Sequence, residues 1–267
     1  MIRNRRNKKG AYEDMIFYFS ATGNSKYVAE CIAKELNEKV VSIIDCDTNE
    51  NFSFDFQDEK YIGFITPTYF LGLPTVVNEF LDKLELHKAE NAYVFTVSTY
   101  GTTSGQTGKR LKESFQKKGI PINGSYGIKM VDTWTPVFDL TDKDKITKIN
   151  NKAENQIAQV CSQIKQRMVG DYNLSKVPSI VERVYYPVYQ KLRRTQRFHL
   201  EEGCISCGKC AMKCPTNAIA MKNGKPEWVK TECTLCLGCL HRCPNFVIQY
   251  GKKTKKHGQF LNPYVKI

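Results

Sequence analysis

The sequence lacks any long apolar run and any segment that looks like a secretory leader. None of its apolar stretches approaches the roughly 20 residues that a membrane-spanning helix needs, so an integral membrane protein is not expected. Residues 1–9 are basic and contain no apolar core of the kind that a signal peptide requires. The simplest expectation is therefore a cytoplasmic protein, in which cysteine thiols stay reduced.

Cysteine, in contrast, is abundant, and eight of the eleven cysteines fall into two ladders with the spacing C-x2-C-x2-C-x3-C. The ladders are Cys204, Cys207, Cys210 and Cys214, then Cys233, Cys236, Cys239 and Cys243. Every position of the first recurs 29 residues later, which indicates an internal repeat with approximate two-fold symmetry. Three thiolates at this spacing can wrap one loop around three corners of an iron–sulfur cube. The fourth, followed by a proline, then binds the other cube.

This spacing predicts two 4Fe–4S clusters. One would be bound by Cys204, Cys207, Cys210 and Cys243, and the other by Cys233, Cys236, Cys239 and Cys214. C-x2-C pairs also bind zinc, but the repeated third cysteine fits a tetrahedral zinc site poorly. A disulfide framework is typical of small secreted chains with a signal peptide. Residues 198–251 resemble a bacterial two-cluster ferredoxin, in which Asn223 and Gly224 would form a hairpin turn.

The first two thirds of the chain alternate predicted strands with predicted helices. Strands are predicted at 15–19, 40–44, 61–66, 92–98 and 126–130, and helices at about 25–36, 75–84, 105–118 and 142–168. This alternation favours a parallel α/β sheet that binds ligands beyond the carboxyl ends of its strands. Cys31, Cys46 and Cys161 are expected to be buried, since free cysteine is common in protein cores.

Residues 20–25, SATGNS, lie between the first predicted strand and the first predicted helix. Small and hydroxyl residues there predict a phosphate nest, because backbone N–H groups, hydroxyls and the helix dipole point at one anion. An ordinary helix cap is the alternative. Residues 66–74 and 99–103 follow the third and fourth strands, and each loop offers an aromatic ring and a glycine to a flat ligand.

The segments FYFSATGNSKYVAE, TPTYFLGLP and STYGTT resemble the FMN-phosphate loop and the two isoalloxazine loops of flavodoxins. Over residues 12–131 the resemblance implies a doubly wound, five-stranded parallel sheet in the order 2-1-3-4-5. It implies that the phosphate is bound by Ser20, Thr22, Gly23, Asn24 and Ser25. One side of the ring would be lined by Pro67, Thr68, Tyr69, Phe70 and Gly72, and the other by Thr99, Tyr100 and Gly101. The aromatic residues could instead plug the top of the sheet.

The predicted fold class is α/β, with four segments. A flavodoxin-like FMN-binding domain at 12–168 would be followed by a basic aromatic connector at 169–197. A small α+β ferredoxin-like domain at 198–251 would carry both clusters, and a basic tail would follow at 252–267. Trp134 and Phe138 are expected to pack on the helix at 142–168 rather than cover the flavin. His199 and His241 are not expected to be ligands, because the cysteines complete the ligand count.

The combination resembles a flavodoxin–ferredoxin fusion family of anaerobic bacteria and archaea. This resemblance implies electron transfer between two 4Fe–4S clusters and FMN, linking low-potential one-electron carriers to a flavin or a partner enzyme. No catalytic side chain is predicted, because no acid–base pair, metal triad or activated nucleophile is evident. Two alternatives are an FMN-dependent reductase of a small substrate that uses ferredoxin electrons, and a ferredoxin fused to a flavin-free docking module.

The chain has a formal charge of +13 and lacks the acidic surface of standalone flavodoxins. Basic residues cluster at 3–9, 191–197 and 252–256. Taken one at a time, each run is explained by a solvent-exposed terminus or linker. A docking surface for an acidic redox partner is the sharper hypothesis, because complementary charge raises encounter rates. Nucleic acid is not an expected partner, since no stacking or groove-reading module is present. The sequence predicts no oligomeric state.

Overall fold

The computed structural model describes residues 15–56 and 61–267. Its strands are β1 (Met15–Tyr18), β2 (Lys39–Ser42), β3 (Ser53–Asp55), β4 (Tyr61–Pro67), β5 (Glu85–His87), β6 (Tyr93–Tyr100), β7 (Gly124–Lys129), β8 (Gly170–Asp171), β9 (Phe198–Leu200), β10 (Ile219–Lys222), β11 (Lys225–Trp228) and β12 (Ile248–Tyr250). Its helices are α1 (Asn24–Leu36), α2 (Ile43–Thr48), α3 (Thr75–Lys83), α4 (Thr107–Gln116), α5 (Lys143–Lys165), α6 (Ser179–Leu192), α7 (Lys209–Met212), α8 (Gly238–Arg242) and α9 (Thr254–His257). The predicted residues 12–14 and the basic run at 3–9 lie outside the described ranges.

A parallel sheet in the order β2-β1-β4-β6-β7-β8 forms the centre of the first domain. The predicted order of the five longer strands is confirmed, and the two-residue strand β8 extends one edge. β1, β4 and β6 are nearly continuous apolar runs because helices cover both faces of the sheet. β3 and β5 form a separate parallel pair that the sequence did not predict.

Two apolar cores lie on opposite faces of this sheet. Helices α1 and α5 cover one face through residues such as Ile32 and Ile157, and α3 and α4 cover the other. Cys46 and Cys161 are buried in these cores as predicted, and Cys31 is partly buried. Burial raises the pKa of Cys161 to about 12 and that of Cys46 to about 11, so both remain neutral thiols.

The second domain is small and contains two antiparallel strand pairs, β9–β12 and β10–β11, with the short helices α7 and α8. The predicted hairpin turn is present between β10 and β11. Asn223 and Gly224 have φ values of 49° and 74°, the pair of positive angles that a tight two-residue hairpin turn requires.

Helix α6, which falls within the predicted connector at 169–197, lies between the two domains. On one side, the hydroxyl of Tyr186 donates to the carbonyl of Leu73 at 2.8 Å. On the other side, the hydroxyl of Tyr189 donates to the carbonyl of Thr234 at 2.8 Å. Tyr189 also accepts a hydrogen bond from the N–H of Thr75 at 3.4 Å, so α6 contacts both domains and holds the second ladder of cysteines against the first domain.

Residues 258–267, here called the C-terminal segment, fold back onto the first domain. The N–H of Asn262 donates to the carbonyl of Thr22 at 2.8 Å, and its side-chain amide donates to Asn24 Oδ1 at 3.1 Å. The tail predicted at 252–267 is therefore not simply solvated, because its second half packs on the predicted phosphate loop. No helix in the described ranges is both long enough and apolar enough to cross a membrane.

His241 joins three separate segments at the domain boundary. Its Nε2–H donates to the carbonyl of Thr133 at 2.9 Å, and its Nδ1 accepts from the N–H of Phe260 at 3.1 Å. Burial lowers the pKa of His241 to about 4, so the neutral ring that can accept from Phe260 is present at neutral pH.

We expect the substitution His241→Leu to lower the apparent melting temperature by about 5 °C or more, because two buried backbone groups lose their hydrogen-bond partners. Scanning calorimetry of the loaded protein would measure this change. The matched control is His199→Leu, since His199 is exposed on β9 and should melt like the wild type. Equal melting temperatures for the two variants would contradict this role of His241.

Candidate functional site

A pocket with about 950 Å³ of empty space, partly open to solvent, lies beyond the carboxyl ends of the parallel strands. We call it the large pocket. Four loops of the first domain and one loop of the second domain form its wall. The lining residues are 20–22, 24, 25, 67–71, 99–103, 130–134, 138 and 235–237.

The predicted phosphate loop lies at one end of the large pocket. Ser20, Thr22, Asn24 and Ser25 line it, and the 13-residue helix α1 begins at Asn24 with no acidic residue in its first turn. Ser25 Oγ lies 2.8 Å from the hydroxyl of Thr99, so the start of α1 and the end of β6 meet here. A helix N-terminus with adjacent hydroxyls and no carboxylate fits a phosphate group.

Gly23, which was predicted to help bind the phosphate, is not among the residues that line the large pocket. Its φ of 104° turns the chain into α1, and the side of Gly23 where other residues carry a Cβ faces the C-terminal segment. A Cβ at this position would be 2.7 Å from the Cβ of Asn262 and 2.8 Å from Cδ1 of Ile267. The glycine is therefore needed for the close approach of the C-terminal segment as well as for the turn.

The loop after β4 forms a tight turn with a strained backbone. Tyr69 and Gly72 exchange two backbone hydrogen bonds of 2.9 Å, and Phe70 and Leu71 between them have φ values of 47° and 69°. Asn and Gly usually occupy these two positions, and a left-handed backbone costs about 1–2 kcal/mol at other residues. The turn directs the ring of Phe70 to within 5.3 Å of the ring of Tyr189.

The predicted lining residue Gly72 does not line the large pocket, whereas its neighbour Leu71 does. Gly72 lies on the far side of the turn, where a Cβ would be 2.7 Å from the ring of Tyr186. The other residues predicted for the ring loops all line the pocket: Pro67, Thr68, Tyr69, Phe70, Thr99, Tyr100 and Gly101.

Trp134 does not pack on the long helix α5 as predicted. Its ring lies 5.2 Å from the ring of Phe70 and 5.8 Å from that of Tyr250, and it lines the large pocket together with Phe138. The chain after β7 turns toward the second domain, so Trp134 joins the aromatic residues at the domain boundary.

Asp132 is a lining residue that sequence reasoning missed. Its carboxylate accepts hydrogen bonds from Thr102 Oγ1 at 3.1 Å and from the N–H of Trp134 at 3.0 Å. Burial raises the pKa of Asp132. A Cβ on Gly101 would lie 2.2 Å from the Cβ of Asp132, so only glycine lets the two loops meet in this way.

The eight ladder cysteines are divided between two smaller cavities. The distal cavity, of about 350 Å³, is lined by Cys204, Cys207, Cys210 and Cys243. The proximal cavity, of about 320 Å³, is lined by Cys214, Cys233, Cys236 and Cys239. Each cavity thus combines three cysteines of one ladder with the fourth of the other. Within the described ranges, no three His, Cys, Asp or Glu side chains cluster closely enough to bind a single metal ion.

The proximal cavity has the donors that an iron–sulfur cluster requires. Backbone N–H groups point at its sulfurs, at 3.3 Å from Ala218 to Cys214 and at 3.3 Å from Leu235 to Cys233. Burial raises the pKa of Cys233 to about 12, so its thiol is protonated until a metal replaces the proton. Four thiols around one cavity, with amides directed at the sulfurs, fit a 4Fe–4S cluster.

The large pocket and the proximal cavity share a wall. Cys236 and Leu237 line both, whereas no residue in the described ranges lines both the large pocket and the distal cavity. Leu235 and Leu237 are buried beside Cys236 and exclude water from this contact. No sequence signal could have revealed the shared wall, because it depends on how the two domains dock.

Two family models match the chain. The model described as Flavodoxin domain matches residues 15–159, and the model described as 4Fe-4S dicluster domain matches residues 203–248. Among curated proteins, the chain is 39% identical over 49 residues to a subunit of the ion-translocating oxidoreductase complex of Methanosarcina acetivorans. That match covers 18% of this chain and 19% of the relative, so the chain matches about a fifth of the relative's length.

Solved structures resemble the first domain only distantly. A flavodoxin from the domain Archaea is 17% identical and aligns over 57% of this chain and 99% of its own, with a TM-score of 0.35. Rubredoxin oxygen:oxidoreductase from the anaerobe Desulfovibrio gigas is 18% identical and aligns over 56% of this chain and 36% of its own, also with a TM-score of 0.35. The two family matches cover every lining residue of the large pocket and all eight ladder cysteines.

Proposed function

Since the chain belongs to the Flavodoxin domain family and a 4Fe-4S dicluster domain follows, we propose that it passes electrons between two 4Fe–4S clusters and a bound FMN. When bound, the clusters would carry single electrons and the flavin would accept two in single steps. The observation that best supports this proposal is Cys236, which lines both the proximal cavity and the large pocket.

The residues of the large pocket have distinct roles in this proposal. Ser20, Thr22, Asn24 and Ser25, with the N-terminus of α1, hold the phosphate. The loop at 67–71 lies on one side of the ring and the loop at 99–101 on the other. Trp134, Leu235 and Leu237 keep water away from the contact with Cys236, which strengthens electrostatic interactions in the pocket.

The shared wall favours an electron relay over a reductase of small substrates. The ring of a flavin in the large pocket would have its electron partner in the same chain, held by Leu235, Cys236 and Leu237. Tyr189 fixes this loop through Thr234, whose hydroxyl also bonds Thr75 Oγ1 at 3.2 Å. The chain itself therefore sets the spacing between the proximal cavity and the pocket.

An anaerobic photoreduction experiment tests the proposal. Protein loaded with iron, sulfide and FMN should contain about eight irons and one flavin. After a light pulse that reduces the clusters, the visible absorbance of the bound flavin should decay at a rate that is independent of protein concentration. Clusters that are reduced while the flavin stays oxidised would overturn the proposal, as would zinc in place of iron.

We expect the substitution Asp132→Asn to raise the reduction potential of the bound flavin at neutral pH. An ionised carboxylate that lines the pocket disfavours the added negative charge of the reduced ring, and asparagine removes this effect. The pKa of Asp132 is raised, so the carboxylate becomes neutral at a higher pH than an ordinary aspartate. The difference in flavin reduction potential between variant and wild type should therefore be largest above this pKa and vanish as the pH falls below it.

Redox titrations followed by visible absorbance over a range of pH would measure this difference. Asp139→Asn is the control, because Asp139 is exposed and does not line the large pocket. A potential difference between Asp132→Asn and wild type that stays constant down to low pH would contradict the electrostatic role of Asp132.

A further inference from the structure

The two cysteine ladders are equivalent in sequence but opposite in exposure. Thr234 and His241 of the second ladder are 1% and 2% exposed. The equivalent positions, 29 residues earlier, are Ile205 and Met212, which are 59% and 72% exposed. The difference arises because the second ladder packs on the first domain, where Cys236 reaches the large pocket.

The exposed face of the first ladder is here called the distal face. It consists of Ile205, Ser206, Lys209, Met212 and Lys213, together with Lys225 of the adjacent hairpin. Gly224 lies beside Ser206, so the hairpin turn borders the ladder directly. Exposed apolar side chains grouped next to a redox site are typical of protein–protein contacts.

The charges around the distal face indicate the kind of partner. Lys209, Lys213 and Lys225 are exposed there, and no ion pair is found for them among the described residues. Lys222 is paired with Glu227 at 2.9 Å, and Lys255 is paired with Glu201 at 2.8 Å. Glu202, just before the first ladder, is exposed. The face is therefore basic and carries two exposed apolar side chains, and it complements an acidic surface.

We propose that the distal face docks a small acidic one-electron carrier of the ferredoxin type. This inference rests on the proposed function and supplies its external partner. In the transfer, the reduced carrier loses one electron and the cluster in the distal cavity gains it, with no proton or bond exchanged. The side of the first ladder that would contact this carrier is equivalent, through the 29-residue repeat, to the side of the second ladder that packs on the first domain.

Equilibrium binding tests the docking site. The loaded full-length chain is titrated anaerobically with an acidic bacterial two-cluster ferredoxin at low ionic strength. The double variant K213E/K225E should bind this ferredoxin about tenfold more weakly or worse, and added salt should weaken wild-type binding. The control K148E/K152E makes the same change in net charge at exposed positions on α5 and should bind like the wild type.

Equal losses in both double variants, or no loss in either, would overturn the docking site. A wild-type dimer that K213E/K225E dissociates would also overturn it, because the distal face would then bind a second copy. Binding of the wild type to anionic vesicles but not to ferredoxin would assign the face to lipid and overturn the proposal as well.

The photoreduction experiment separates this inference from the proposed function. If the flavin is reduced by the clusters equally fast in K213E/K225E and wild type, relay within the chain is intact and the binding result reports docking alone. If the flavin is never reduced in the wild type, the relay is wrong, and the binding comparison still decides the docking site.

Discussion

The substitution Cys236→Ala is expected to remove about half of the iron and to stop reduction of the bound flavin. Cys236 is one of four cysteines around the proximal cavity, so a cluster there would lose a ligand. The cluster in the distal cavity would remain, but that cavity shares no lining residue with the large pocket. Electron tunnelling falls steeply with distance, so the remaining cluster should reduce the flavin only very slowly.

The substitution Cys207→Ala is the matched control, because Cys207 occupies the equivalent position of the first ladder. It should also remove about half of the iron, since the distal cavity loses a ligand. Flavin reduction after a light pulse should continue in this variant, because the proximal cavity and its shared wall are intact. Loss of flavin reduction in both variants, or in Cys207→Ala alone, would contradict the assignment of the proximal cavity.

The sequence predicted the features that depend on local spacing. The ladder pattern predicted the same two groups of cysteines that line the two cavities. This includes the exchange of the fourth cysteines, because Cys214 of the first ladder lines the proximal cavity. The alternation of strands and helices predicted a parallel α/β sheet, and the resemblance to flavodoxins implied the strand order that the structure has. The residues after β1 predicted a helix N-terminus, and α1 does begin at Asn24, whereas phosphate binding by this loop stays a prediction.

The features that the sequence did not predict depend on contacts between distant segments. Leu235 and Leu237 flank Cys236 in the sequence, and only the docked structure makes them a wall of the large pocket. Trp134 was predicted to pack on α5, because its position after β7 does not reveal where the chain turns. Asn262 reaches Thr22 from 240 positions away, and no periodic pattern marks such a contact.

Three contacts together fix the second ladder against the large pocket. Tyr189 of α6 bonds Thr234, and His241 of α8 bonds Thr133. The C-terminal segment bonds His241 through Phe260 and the first domain through Asn262 and Asn24. They come from three parts of the chain, so loosening one leaves two in place. This arrangement suits an electron relay, in which a small change in separation has a large effect on rate, better than a site that must open for a substrate.

The substitution Gly23→Ala is expected to have a large effect on stability and FMN binding, because Gly23 lies against the C-terminal segment. Alanine at φ 104° is strained, and its Cβ would overlap Asn262 and Ile267. We expect this variant to lose about 3 kcal/mol or more of stability and to bind FMN at least about tenfold more weakly, because residues 20–25 must shift. Thermal melting and a fluorescence titration of the flavin-free protein with FMN would measure the two effects.

The substitution Gly119→Ala separates backbone strain from overlap. Gly119 has a φ of 72° and no heavy atom within 4 Å of the added Cβ, so alanine there should cost only about 1 kcal/mol and leave FMN affinity unchanged. A double-mutant cycle completes the test, with Gly23→Ala made in a chain that lacks residues 261–267. If the extra cost comes from the C-terminal segment, it should largely disappear in that background, because Ile267 and Asn262 are gone. An unchanged cost would show that strain in the loop itself, and not the C-terminal segment, requires glycine at position 23.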